Sequence, residues 1–188
     1  MMMDLFDSSG STSPSQDLAQ RPLADILRPK ILSHVIGQCQ ILGSNGSLST
    51  MLDSGILGSI VFWGPPGVGK TTIARLLAQE TDLFFVQISA IFSGIPELRR
   101  VFESARIRRD NGQGTLLFVD EIHRFNKAQQ DSFLPLMEDG TIVLIGATTE
   151  NPSFELNAAV LSRSQVMVLE RLNIDDLELL AQRAEAEI

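Results

Sequence analysis

The segment from Gly64 to Thr72, with the sequence GPPGVGKTT, has the residue types and the spacing that suit phosphate binding. It places glycines ahead of a lysine and two hydroxyls, which is the phosphate-loop pattern. In such a loop successive backbone N–H groups, together with the N-terminus of the next helix, face the negative charge. We expect Lys70 to reach the outer phosphates of a nucleotide and Thr71 to place its hydroxyl on Mg²⁺. A Gly/Pro-rich turn that matches by chance is the alternative.

Two adjacent carboxylates, Asp120 and Glu121, end an apolar run in the segment LLFVDEIHRF. Carboxylates at the end of a buried strand are costly unless they meet a metal or act on water. Asp120 is therefore predicted to hold Mg²⁺ through a water molecule, and Glu121 to polarise an attacking water. The alternative is a pair of solvated acids that open a turn.

The hydroxyls of Thr148 and Thr149 end another apolar run, in the segment GATTENPSF. Ligands of open α/β sheets bind at the carboxyl ends of the strands, so a hydroxyl here can touch a phosphate or the attacking water. Threonines that simply end a strand before an Asn-Pro turn are the alternative.

The elements that position these residues alternate between apolar runs and helical patterns, which favours an open α/β sheet covered on both faces. We predict a short helix capped by Ser47 and ending near Leu52. The longer helical patterns include one with a kink at Pro135, and they cover Lys70–Glu80, Pro96–Arg109 and Lys127–Glu138. Nearly all-apolar strands, typical of buried parallel strands, are predicted at 59–63, 83–89, 115–120, 141–149 and 166–170.

Three segments are expected along the 188 residues. Residues 1–20 are rich in serine and are predicted to be a disordered tail. Residues 21–171 form the core domain. Residues 172–188 carry an amphipathic helix that has no expected partner within the chain, so we interpret it as the start of a following domain.

Composition excludes several classes of function. The formal net charge is −8, which argues against binding nucleic acid through bulk positive charge, although a local basic face stays open. A single cysteine, Cys39, rules out a disulfide framework. The N-terminus has no secretory leader pattern, and a reducing cytoplasm is the expected location.

The motifs together resemble those of AAA+ ATPases. More narrowly, the stretch 116–169, which runs from LLFVDEIHRFNKAQQ to GATTENPSFELNAAVLSRSQVMVL, resembles the replication-associated recombination protein A family. That family is also called MgsA or the Werner-helicase-interacting protein family. The resemblance implies a P-loop sheet in the order 5-1-4-3-2, ATP and Mg²⁺ as ligands, and hydrolysis coupled to oligomerisation. It also implies work on single-stranded or forked DNA at stalled replication forks, and hence a nucleoid-associated location. The rest of a helical lid and a C-terminal oligomerisation domain are expected outside the 188 residues.

The resemblance also implies roles for particular residues. The segment LRPKILSHVIGQ matches the part that packs on adenine, with Arg28, Pro29, Val35 and Ile36 nearest the base. Thr149 matches the sensor-1 position, and Ser89 stands where relatives place a polar residue that restrains the catalytic glutamate, although a strand-ending serine explains it as well. The loop residues expected to contact the nucleotide are Gly64, Pro65, Pro66, Gly67, Val68, Gly69, Lys70, Thr71 and Thr72.

Arg163 stands between two serines, and nothing near it in the sequence needs a positive charge. The resemblance matches it to the arginine finger of the related clamp loaders, in which Cys replaces Ser164. It is therefore expected to act in trans, on ATP held by a neighbouring subunit, and to have no partner in its own chain. A solvated surface arginine, or a cap on the preceding turn, is the alternative.

Contacts with DNA are expected from Arg99, Arg100 and Lys127, because this region faces the central channel in related ring ATPases. A solvated helix face paired with Glu97 and Glu103 is the alternative. Residues 2–6, MMDLF, resemble a pentapeptide that docks on the sliding clamp. The expected partners are thus DNA and further copies of the chain, with single-strand-binding protein and the sliding clamp as additional candidates.

Three other functions stay open at this stage. One is a clamp-loader subunit, and another is a Holliday-junction branch-migration motor. The third, from another class, is a nucleotide-binding interaction module without productive hydrolysis, although the intact pair of Asp120 and Glu121 argues against it.

Overall fold

A parallel five-stranded sheet forms the centre of the structure, a computed structural model that describes residues 26–186. The sheet order is β2-β3-β4-β1-β5, which confirms the predicted order 5-1-4-3-2. The strands are β1 Ile60–Trp63, β2 Phe84–Ser89, β3 Thr115–Asp120, β4 Ile142–Thr148 and β5 Gln165–Val168. β3 matches its predicted range at both ends, and the other strands differ from theirs by one or two residues at one or both ends. The predicted tail and the clamp-like pentapeptide lie outside the described residues.

Helices connect the strands, and the longest follow the phosphate loop, β2 and β5. Short 3₁₀ turns lie at Leu32–His34 and Ile122–Arg124. The α-helices, numbered in chain order, are α1 Cys39–Leu42, α2 Ser47–Asp53, α3 Lys70–Glu80, α4 Ile95–Asp110, α5 Lys127–Asp131, α6 Leu134–Glu138, α7 Pro152–Glu155, α8 Ala158–Ser162 and α9 Ile174–Ala186.

Both faces of the sheet are covered, as predicted, because successive residues of a strand point to opposite sides. Ile60 and Phe62 of β1 are fully buried in one apolar cluster, which contains Ile73 and Leu77 of α3. Val61, between them, is buried in a second cluster on the other face. That second cluster also takes in residues of α4, α6 and α8. The packing in these two clusters holds the strands in position against the helices that carry the polar residues.

The two edge strands, β2 and β5, are only partly buried, so the prediction of buried strands is wrong for them. Phe84 at the start of β2 is 42% exposed, and Val166 and Val168 of β5 are 40% and 46% exposed. An edge strand has a neighbour on one side only, which leaves apolar side chains near its ends uncovered. Apolar character therefore indicated a strand but did not separate edge from centre.

Two local predictions about helices are also wrong. The cap of α2 is Gly46, which makes no side-chain bond, while Ser47 is the first residue of the helix. The pattern 127–138 is two helices rather than one kinked helix, because α5 ends at Asp131 and α6 begins at Leu134. Pro135 lies in the first turn of α6, where its missing N–H has no intrahelical partner to lose.

The amphipathic helix at the end of the chain does have a partner, which corrects the expectation that it has none. The guanidinium of Arg183 in α9 donates a hydrogen bond of 2.8 Å to the carbonyl of His34. A Cβ built on Gly37 would lie 2.8 Å from the side chain of Leu172, just ahead of α9. The helix therefore lies against residues 34–37, about 140 residues earlier in the chain.

Gly146, in the middle of β4, lets the turn after β3 approach the sheet. A Cβ at this position would lie 2.9 Å from Cδ1 and 3.1 Å from Cγ2 of Ile122. Ile122 is fully buried and directly follows Glu121. The absence of a side chain at Gly146 thus sets how closely the acidic turn packs on the central strands.

We predict that Gly146→Ala destabilises the protein, because the added methyl group forces Ile122 away from its site. Overpacking of this kind costs about 1–3 kcal/mol of the free energy of unfolding. Chemical denaturation measures the change. Gly58→Ala is the matched control, since its Cβ would meet only the end of Met51, at 4.0 Å. Equal stabilities for the two variants would contradict the prediction.

Candidate functional site

The loop between β1 and α3 has the backbone conformation that a phosphate-binding loop requires. Gly67 and Gly69 have φ values of +80° and +96°, which side chains strongly disfavour. The carbonyl of Gly69 accepts the first helical bond, from Ile73 N at 2.9 Å. The loop therefore turns directly into α3, so that the free N–H groups of the first turn face the space above it.

The ammonium group of Lys70 is folded into this loop. It donates to the carbonyls of Gly64, at 2.6 Å, and Pro65, at 2.8 Å. Burial lowers the pKa of Lys70, while the nearby charges of Glu121 and Asp120 act in the opposite direction. Desolvation is the larger effect, so the two carboxylates alone do not offset the removal of this cation from water. An anion bound against the loop would supply the missing negative charge.

The phosphate loop and the two acids line one cavity of about 470 Å³. Thr71 and Asp120 thus share a space with hard oxygen donors on two sides, which suits Mg²⁺ bound partly through water and phosphate. Arg75 and Gln87 also line it, joined by a hydrogen bond of 2.8 Å, and sequence reasoning missed both. The complete lining is Arg28, Pro66, Gly67, Gly69, Lys70, Thr71, Thr72, Arg75, Gln87, Asp120 and Glu121.

Glu121 lies in a left-handed backbone conformation, with φ 52° and ψ 44°. That region is uncommon for a residue with a side chain, and residues held in such conformations cluster at functional sites. Its carboxylate Oε2 is 3.5 Å from the Thr149 hydroxyl and 3.3 Å from Nε2 of His123. The structure therefore brings together Glu121 and Thr149, which the sequence placed in separate motifs. It also places His123 in contact with the Glu121 carboxylate.

Thr148 is fully buried, and neither Thr148 nor Thr149 lines this cavity. Its hydroxyl lies 2.9 Å from Nδ1 of His123 and accepts a hydrogen bond from Glu150 N at 3.0 Å. Of the two threonines that end β4, only Thr149 faces the carboxylate of Glu121. Ser89 is paired in register with Asp120, at the end of the neighbouring strand.

A second cavity, of about 610 Å³, adjoins the first on the other side of the loop. It is lined by all four residues matched to the adenine-binding segment, Arg28, Pro29, Val35 and Ile36. Both cavities share Arg28, Gly67, Gly69 and Thr72, so a base and its phosphates can span them. The lining of this cavity also includes three residues that no sequence motif indicated, Leu172, Leu180 and Arg183.

Arg163 has a partner in its own chain, which corrects the prediction that it has none. It caps the end of α8, and its guanidinium forms an ion pair of 2.5 Å with Glu138 at the end of α6. It also donates to the carbonyl of Ala159 at 3.1 Å. The two side chains of the ion pair are 40% and 53% exposed, and exposed pairs contribute only about 0–1 kcal/mol to stability.

The three residues expected to face DNA lie on α4 and at the start of α5. Arg99 and Arg100 are exposed in the second turn of α4. The ammonium group of Lys127 donates to the carbonyl of Glu155 at 3.0 Å, so it helps to hold the segment after β4. Arg99 shares a groove with Ala128 and Gln129 of α5, which brings the two helices side by side.

Comparison with known proteins agrees with this architecture. Residues 60–172 match the ATPase family associated with various cellular activities (AAA). The chain is 51% identical over 158 residues to replication-associated recombination protein A of Escherichia coli K12, covering 84% of this chain and 35% of that protein. It is 46% identical over 162 residues to the ATPase WRNIP1 of Dictyostelium discoideum, covering 86% of this chain and 18% of that protein.

Among solved structures, the chain resembles the RuvB Holliday junction branch migration motor of Thermotoga maritima. The TM-score is 0.67 at 29% identity, over 86% of this chain and 54% of that one. The chain spans about a third of the length of the bacterial relatives that it matches. None of the helices within residues 26–186 has the length and apolar character that crossing a membrane requires.

We predict that Lys70→Ala weakens ATP binding by at least about tenfold, since hydrogen bonds to charged groups contribute about 1.5–3 kcal/mol. Glu121→Gln should keep the affinity and stall turnover, because it preserves size and removes the base. Titration of a fluorescent ATP analogue measures the first effect, and phosphate release measures the second. Unchanged affinity in Lys70→Ala would rule out the role assigned to the loop.

ATP should also raise the thermal stability of the 188-residue chain. A ligand at a hundred times its Kd stabilises the folded state by about 2.7 kcal/mol. A thermal-shift titration with ATP and Mg²⁺ checks this, with Lys70→Ala as the matched control that should shift much less. The same shift in both proteins would mean that ATP binds elsewhere.

Proposed function

The chain belongs to the AAA family of ATPases, and we propose that residues 26–186 bind ATP with Mg²⁺ and hydrolyse it to ADP and phosphate. One observation carries the proposal. The phosphate loop and the pair Asp120 and Glu121 line the same cavity, although about 50 residues separate them in the sequence. Phosphate binding and activation of water can therefore occur on one ligand.

The binding side of the reaction falls to the loop and α3. Lys70 would exchange its carbonyl partners, or add to them, by donating to the β- and γ-phosphates. Thr71 and Asp120 would hold Mg²⁺, which neutralises charge on the phosphates when it is bound. Arg28, Pro29, Val35 and Ile36 would contact the adenine from the adjoining cavity. Leu180 of α9 would cover the base from the other side.

The residues proposed to activate the attacking water lie at the ends of β3 and β4. Glu121 would accept a proton from the attacking water, and its carboxylate is held at the rim of the cavity. The Thr149 hydroxyl, 3.5 Å from that carboxylate, would orient the water or the γ-phosphate from the neighbouring strand. An intact base beside the phosphate loop favours productive hydrolysis over an interaction module that binds nucleotide without turning it over.

Arg163 is proposed to act on the nucleotide of a neighbouring subunit. It precedes the start of β5, whereas the phosphate loop follows the end of the neighbouring parallel strand β1, so the two lie at opposite ends of these strands. Its bond to Glu138 is exposed and therefore weak enough to exchange for a bond to a phosphate across an interface. An arginine delivered in this way typically raises turnover by about 10³–10⁵.

At the level of the whole protein, we propose a DNA-dependent ATPase that acts at stalled replication forks, in recombination and repair coupled to replication. The relatives with 46–51% identity support it, since the bacterial one is named for replication-associated recombination. Arg99, Arg100 and Lys127 are the proposed contacts to single-stranded or forked DNA. Single-strand-binding protein and the sliding clamp are proposed further partners in a nucleoid-associated oligomer.

A second candidate is a branch-migration motor for Holliday junctions, as the similar RuvB structure is titled. Its identity of 29% is well below the 51% shared with replication-associated recombination protein A. Fork remodelling is therefore the preferred proposal. Branch migration of a synthetic four-way junction by the full-length protein, without activity on forks, would reverse this preference.

We predict that single-stranded DNA stimulates ATP hydrolysis by the full-length protein. Phosphate release is compared with and without a single-stranded oligonucleotide, with duplex DNA of equal length as the control. Arg99→Glu with Arg100→Glu should reduce the stimulation while leaving the basal rate unchanged, because both residues lie outside the cavity. Equal stimulation in this variant would remove the two arginines from the proposed DNA contacts.

The trans role of Arg163 predicts complementation between two inactive variants. Lys70→Ala subunits keep a finger and lack a working loop, while Arg163→Ala subunits keep the loop and lack a finger. Mixed oligomers of the full-length protein contain junctions with both parts intact, so we expect ATPase activity to return in part. Arg163→Ala alone should bind ATP normally. No recovery despite proven co-assembly would place the action of Arg163 within its own chain.

A further inference from the structure

We propose that His123 is a positioning residue that holds the Glu121 carboxylate against the end of β4. The inference rests on the proposed function, because it assigns a role in the hydrolysis for which Glu121 is the base. His123 lies in the segment LLFVDEIHRF, in which only Asp120 and Glu121 have proposed roles. It would act on water and phosphate only through Glu121.

Two contacts of the ring, together with its burial, carry the proposal. The His123 side chain is only 6% exposed, and its Nε2 lies 3.3 Å from Oε2 of Glu121. Its Nδ1 lies 2.9 Å from the hydroxyl of the fully buried Thr148. The ring therefore bridges the acidic turn after β3 and the end of β4, with one nitrogen on each.

The hydrogen-bond partners determine which ring nitrogen of His123 carries a proton. A carboxylate only accepts, so the ring nitrogen beside Glu121 has to be the donor. The Thr148 hydroxyl has one hydrogen, which it can give either to Nδ1 or to the carbonyl of Glu150, 3.2 Å away. In both arrangements Nε2–H faces Glu121. The ring is thus a donor aimed at the base, whichever way the Thr148 hydroxyl is turned.

Thr148 connects this bridge to the phosphate loop. Its backbone carbonyl accepts a hydrogen bond of 3.2 Å from the N–H of Gly64, the first residue of the phosphate loop. One residue thus contacts the start of the loop through its backbone and His123 through its hydroxyl. His123 thereby fixes the position of the Glu121 carboxylate relative to the loop that holds the phosphates.

Glu121 needs such support because little else restrains its side chain. Its side chain is 24% exposed, and its contact to the Thr149 hydroxyl is long, at 3.5 Å. A misplacement of about 1 Å in a reacting group can reduce the rate about a hundredfold. A buried donor at a fixed point is an effective restraint on a flexible acidic side chain.

The experiment compares His123→Leu and His123→Gln in the full-length protein, with single-stranded DNA present. We expect His123→Leu to lower kcat by about ten- to a hundredfold, with ATP affinity close to that of wild type, since the loop is intact. Gln keeps an N–H donor near the position of Nε2, so His123→Gln should recover most of the lost turnover. His34→Leu is the control, because the other histidine is exposed and lines neither cavity.

Several results would overturn the proposal. Wild-type turnover in His123→Leu would do so, and so would equal losses in the Leu and Gln variants. A fall in ATP affinity and melting temperature that matches the loss of turnover would make His123 a packing residue only. If His123→Leu does not fold, Thr148→Val tests the same bridge, since it removes the hydroxyl and keeps the shape. It should lower kcat without weakening ATP binding, and unchanged turnover would contradict the proposal.

The same experiment separates this inference from the proposed function. A wild-type protein without ATPase activity under any DNA condition would overturn both. An active wild type together with fully active His123→Leu and Thr148→Val would overturn the positioning role alone.

Discussion

The site depends on one buried positive charge. Lys70 is withdrawn from water beneath its own loop, bonded to the carbonyls of Gly64 and Pro65 and facing Asp120 and Glu121. Burial nevertheless lowers its pKa, so the neighbouring acids compensate the cation only in part. A phosphate chain, with several negative charges at hydrogen-bond distance, is the ligand that best completes such an environment. The folded protein is in this sense electrostatically suited to a polyphosphate.

The sheet order makes that arrangement possible. Because β3, β4 and β1 are neighbours, the acidic turn, the threonines and the phosphate loop emerge side by side at one edge. Parallel strands all end on the same side, and polar groups collect there without interrupting the apolar faces. Two close contacts then hold the edge together. Ile122 packs over Gly146, and the N–H of Gly64 reaches the carbonyl of Thr148. The first contact requires that Gly146 has no side chain, and the second uses backbone groups at the ends of β1 and β4.

The groups at the periphery are held more loosely than those at the centre. Arg163 is tied to Glu138 by an exposed ion pair, and α9 is attached beside the second cavity through Arg183 and the carbonyl of His34. Exposed ion pairs and single surface hydrogen bonds contribute little to stability, so they can be exchanged without unfolding the core. This division suits a proposed ring ATPase, in which the phosphate loop and base stay rigid while the groups that sense a neighbour change partners.

The sequence by itself determined the five strands, the phosphate loop, the acidic pair and, through family resemblance, the sheet order. These follow from local patterns: apolar runs of strand length, glycines at fixed spacing and charges at the ends of strands. Tertiary structure alone decided which side chains of the edge strands β2 and β5 are exposed, that α5 and α6 are separate helices, and that Arg163 meets Glu138. It also decided that His123 joins Glu121 to Thr148 and that Arg183 reaches the segment before α1. Each of these contacts joins residues that no periodicity links, because it depends on how turns and helices settle once the core has packed.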